Sequence, residues 1–84
     1  MKHEKDLNMV LYYDYYGDFL TEKQREAFSL YYNEDYSLAE IGRMLDISRQ
    51  GAQDTIRRAE KKMKDMEEKL GLIGSGVSEE SNGV

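Results

Sequence analysis

The chain has 84 residues, with twelve Lys and Arg against seventeen Asp and Glu, and neither Cys nor Pro. That is enough for one small domain and not two, and it excludes a disulfide framework or a thiolate metal site. A formal net charge of −5 argues against a simple nucleic-acid binder; "MKHEKDLN" is too charged to lead a secretory signal, and no apolar run reaches membrane-spanning length. A cytoplasmic location without membrane insertion is the expectation.

The first periodic segment is "DLNMVLYYDYYGDF". Leu7, Val10, Leu11 and Asp14 share one helical stripe with aromatics on either side, and Gly17 and Asp18 end it. The spacing predicts a helix over 6–17. Four tyrosines on one helix, interleaved with acids rather than bases, suit a core or an oligomer seam better than a stacking platform for single strands.

A second helix is expected over 22–33. Thr21 and Gln24 stand at capping-box spacing, Leu20 leads in, and Ala27, Phe28, Tyr31 and Tyr32 supply the apolar face. Asn33, Glu34 and Asp35 close it. Ser37 and Glu40 form another capping box before "LAEIGRML", a third helix over 38–45 with Leu38, Ile41 and Leu45 inward. Ala39 and Gly42 are small there and allow a neighbouring helix to come close.

Asp46 and Ile47 then make a tight turn, and Ser48 caps a fourth helix over 49–69. Its apolar positions are Ala52, Ile56, Ala59, Met63, Met66 and Leu70, a heptad seam longer than a short neighbour can cover. This seam and the aromatic first helix together predict a two-fold homodimer, the alternative being that the first helix folds back over the seam within one chain. "GLIGSGVSEESNGV" loses all periodicity and reads as a tail. The chain therefore divides into an all-α, four-helix domain at 1–72 and a disordered segment at 73–84.

Charge is unevenly distributed. Residues 43–64 hold seven basic side chains against three acidic, while both flanks are net acidic. Taking Ala52 and Ile56 as inward, the outward face of the fourth helix is Gln50, Asp54, Arg57 and Lys61, flanked by Gln53 and Arg58. In a helix-turn-helix the second helix enters the major groove, where Arg suits guanine and Gln suits adenine. Arg43, Lys62 and Lys64 can reach phosphate, and the amides of Ser48 and Arg49 can meet an anion. Against this, outward charges are usually only solvated, Asp54 and Arg58 make a favourable i, i+4 pair, and Asp54 repels phosphate.

His3 is the only histidine, so a transition-metal site is not expected. Acidic pairs such as Glu67–Glu68 lack calcium-loop spacing and read as helix-end or exposed charge. With no nucleophile–base pair and no phosphate loop, neither an enzyme nor a cofactor is expected.

The segment "LTEKQREAFSLYYNEDYSLAEIGRMLDISRQGAQDTIRRAEK", residues 20–61, resembles the helix-turn-helix of sigma-factor region 4. More closely it resembles the YlxM-type family, UPF0122, with "EEKLGL" at 67–72 as a weaker extension. The resemblance implies a DNA-binding or regulatory protein. It also implies a link to the signal recognition particle, because the family's gene tends to lie beside that particle's GTPase genes. The alternative it implies is an accessory factor directed to the particle's RNA or GTPases, in which the helix-turn-helix is scaffold. Far C-terminal family features stay open, since the family usually continues its last helix where this chain runs into "GSGVSEESNGV".

Overall fold

The computed structural model describes residues 8–74. It contains four α-helices and no strand among the described residues: α1 Asn8–Tyr16, α2 Glu22–Tyr32, α3 Leu38–Leu45 and α4 Arg49–Leu70, with a 3-10 turn at Gly17–Phe19 after α1.

Local chemistry fixes most of the boundaries. Both capping boxes form: Thr21 Oγ1 accepts the Gln24 N–H at 3.1 Å while Gln24 Oε1 accepts the Thr21 N–H at 3.0 Å, and Ser37 and Glu40 repeat the exchange at 3.1 and 2.9 Å. The Ser48 hydroxyl accepts the Gly51 N–H at 2.9 Å, opening α4. Each cap satisfies a donor that a helix start otherwise leaves bare. Asp46 ends α3 in the left-handed region at φ 62°. The Ile47 N–H then returns to the Gly42 carbonyl at 2.8 Å and the Asp46 N–H to that of Arg43 at 3.3 Å, the paired bonds of a Schellman-type stop.

α4, 22 residues long, is the spine of two apolar clusters. Its N-terminal half contributes Ala52 and Ile56 to a cluster with Ala27, Tyr31 and Ile41, against which Leu38 and Leu45 pack. Its C-terminal half contributes Ala59 and Met63 to a second cluster with Met9, Tyr16, Leu20 and Phe28. Tyr32 packs on both, stacks on Phe28 at 4.3 Å and donates its hydroxyl to Glu60 Oε2 at 2.6 Å. It couples α2 to the middle of the spine.

On α1 the tyrosines supply the core alongside Met9: Met9 and Tyr16 are buried, Val10, Tyr12 and Tyr13 half-buried, and Leu11 and Asp14 exposed. Tyrosine bodies outweigh a small aliphatic stripe in area, and the buried ring's hydroxyl finds a partner. Leu7 lies outside the described residues. One expectation needs correction: the heptad seam is covered within one chain, with Ala59 and Met63 fully buried beneath α1 and α2, Met66 partly so, and only Leu70 exposed. α1 folds back, as in the alternative, so the seam supplies no reason for a partner.

The chain just after α4 is docked through residue 74. The Tyr16 hydroxyl donates to Glu67 Oε1 at 2.6 Å and accepts the Leu72 N–H at 3.2 Å. Glu67 also accepts the Ile73 and Gly74 N–H groups at 3.1 and 2.6 Å. Gly71, at φ 61°, turns the chain into this arrangement. Glu67 is thus a junction rather than a bare exposed charge. The rest of the proposed tail, 75–84, lies outside the described residues.

Candidate nucleic-acid interface

The candidate interface comprises α3, the turn at 46–48 and the first half of α4. What sets their angle is the absence of a side chain at Gly42. A Cβ there would stand 2.8 Å from the Ile47 carbonyl oxygen and 3.1 Å from the Ser48 carbonyl carbon and oxygen. α3 therefore packs directly on the backbone that launches α4. Ile56 then anchors the underside of α4.

With the underside fixed, the opposite arc is open. Gln50, Asp54, Arg57 and Lys61 are all exposed, as the periodicity predicts. Arg49 and Arg58 are exposed too, whereas Gln53 is half-buried. Gln53 lines a shallow cleft with Tyr31, Ser37, Leu38, Ala39 and Arg49, and so belongs to the α2–α3 side of the helix rather than its open face. Sequence spacing placed it on the rim; the start of α3 encloses it.

The predicted Asp54–Arg58 pair forms at 3.6 Å between exposed side chains. Lys61 is engaged as well, with Asp65 at 3.2 Å. Such exposed i, i+4 pairs contribute only a few tenths of a kcal/mol and exchange readily for other partners. Among the described residues, Arg43, Arg49, Arg57, Lys62 and Lys64 are in no ion pair.

At the start of α4, Gly51 N–H is taken by the Ser48 hydroxyl, and the first turn closes with Ala52 N–H on the Ser48 carbonyl at 2.9 Å. The preceding amides carry the positive end of the helix dipole. Thr55 bonds back to the Gly51 carbonyl at 2.8 Å, a contact the periodicity did not suggest. At the start of α3, the bond from the Ser37 backbone N–H, followed by that from its hydroxyl, holds the Glu40 carboxyl below the usual carboxylate range. That acid is engaged in its cap.

The sequence has relatives among known proteins. Residues 3–81 match the family model UPF0122, described as "Putative helix-turn-helix protein, YlxM / p13 like". The chain is 60% identical over 67 residues to a UPF0122 protein of Thermoanaerobacter sp. (strain X514), covering 80% of this chain and 57% of that protein. It is 49% identical over 70 residues to one from Geobacillus kaustophilus, covering 83% of this chain and 64% of the relative. With one from Desulforamulus reducens the identity is 44% over 84 residues, covering all of this chain and 69% of the relative. The chain thus spans little more than half the length of its Thermoanaerobacter relative.

Proposed function

Because the chain belongs to the UPF0122 family of helix-turn-helix proteins, we propose that it is a non-catalytic, DNA-binding regulator whose α4 lies in the major groove. The observation that carries this reading is the open arc of Gln50, Asp54, Arg57 and Lys61 with unpaired cations beside it. The arc combines base-reading side chains with phosphate contacts, which a merely solvated helix face does not need. Arg43, Lys62 and Lys64 hold the backbone, Ser48 and Arg49 present the helix start to a phosphate, and Gln50 and Arg57 meet base edges. Arg58 acts from the rim.

The acidic remainder of the chain limits binding to this one face and makes it salt-sensitive. In a two-fold pair, two such helices would reach adjacent grooves. Leu11, Tyr15 and Phe19, exposed on and just after α1, offer apolar surface for that pairing. The same surface favours a second reading: an accessory factor of the signal recognition particle that uses α1 to contact its GTPases, or α4 to contact its RNA.

Mobility shifts on genomic duplex fragments, run beside a pull-down with the particle's RNA and GTPase, separate the two. Retarded duplex with no particle component captured is the expected result. Capture of the RNA or GTPase with no duplex retarded at low salt would replace the first reading with the second.

A further inference from the structure

We infer that Asp54 sets the base preference of α4 by accepting a hydrogen bond from the exocyclic amino group of a cytosine. This rests on the DNA reading above and names the chemistry of its central contact. Asp54 is the sole carboxylate in the first eleven residues of α4, 49–59, and it stands amid Gln50, Arg57 and Lys61 on the exposed arc. At ~100° per residue these four fall within about 60° of one another.

Its structural work is slight, limited to one exposed i, i+4 ion pair. Asp54 is the sixth residue of α4, beyond the first turn where a negative charge favours the helix dipole. It caps nothing: Ser48 holds the cap. Its partner is Arg58, through an exposed contact at 3.6 Å. In a surface made only to hold phosphate, a carboxylate at this point works against binding.

A carboxylate accepts and never donates. In the major groove, cytosine offers a donor, the N4 amino group, whereas guanine and thymine offer acceptors, and the adenine donor stands beside the N7 acceptor. Cytosine is therefore the base that Asp54 accepts with least repulsion. Arg57 and Gln50 flank it on the arc and suit guanine and adenine. Phosphate repulsion from Asp54 lowers affinity for every sequence, and the cytosine contact restores it for one class. The residue makes binding weaker and more selective.

The test compares the full chain with Asp54→Asn and Asp54→Ala on a randomised duplex library at low salt, with thermal melting to show that all three fold alike. The wild type should enrich cytosine at one position by about five- to tenfold over other bases. Both variants should lose that enrichment and bind random duplex several-fold more tightly. Variants that keep the same cytosine preference, or that weaken for all sequences alike, overturn the inference and leave the DNA reading intact. A wild type that binds no duplex overturns both.

Discussion

Replacing Gly42 by Ala should damage the fold, although Ala is ordinarily the better helix residue. The new methyl carbon would sit 2.8 Å from the Ile47 carbonyl oxygen and 3.1 Å from two atoms of Ser48. All three are backbone, so no side chain can swing aside. Forcing a methyl into such a contact costs about 1–3 kcal/mol. The Ile47 N–H to Gly42 carbonyl bond, 2.8 Å long, is strained by the same displacement and has a net worth of about 0.5–1.5 kcal/mol. Against this stands a gain of about 1 kcal/mol for Ala over Gly inside a helix. The balance is a loss of about 1–3 kcal/mol, or roughly 4–8 °C in melting temperature for each kcal/mol in a domain this small. Urea denaturation followed by far-UV circular dichroism measures it. A Gly42→Ala protein as stable as the wild type would refute the close packing of α3 on the turn.

Ile56→Ala, at the floor of the α2–α3–α4 cluster, should lose roughly 2–5 kcal/mol in the same denaturation assay; an unchanged midpoint would mean that α4 is rotated. Asp46→Gly should be neutral or stabilising and Asp46→Val destabilising, because φ is 62° at that stop and a β-branched side chain is costly there; thermal melts rank the three. The Tyr16 hydroxyl first, then the Ile73 and Gly74 amides, hold the Glu67 carboxyl below its ordinary value despite desolvation. A depressed folded value means stability present above the unfolded carboxylate value of 4.5 and lost as pH falls through the folded one. Glu67→Gln should flatten that acid limb of a pH–stability curve, and an unaltered limb would contradict the junction.

The features legible in the sequence are those decided within a few residues. Thr21–Gln24, Ser37–Glu40 and Ser48 each announce a helix start because the bonding partner lies three positions away. The outward arc of α4 was legible for a similar reason, since Ala52 and Ile56 fix the rotation of the helix. On α1 the tyrosines are legible as core or seam residues, but which of them turns inward is not, because that choice rests on Tyr16 meeting Glu67, 51 residues away. The coverage of the α4 seam is likewise a tertiary fact: no pattern inside α4 says whether α1 or a second copy lies over Met63. Gly42 is legible as a small residue, but the backbone it touches is not. Gln53 differs from Gln50 only in facing the start of α3.

The most direct test of the account is the salt dependence of duplex binding by the full chain, beside a Lys62→Ala, Lys64→Ala double variant. Three or four phosphate contacts per protomer predict that log K falls by roughly 3 per decade of salt, doubled for a two-fold pair. The double variant should lower affinity for all sequences alike and reduce the slope by about 2 per protomer, whereas Arg57→Ala should relax sequence preference. A slope near zero, or a double variant with wild-type affinity and slope, would contradict the placement of α4 on DNA.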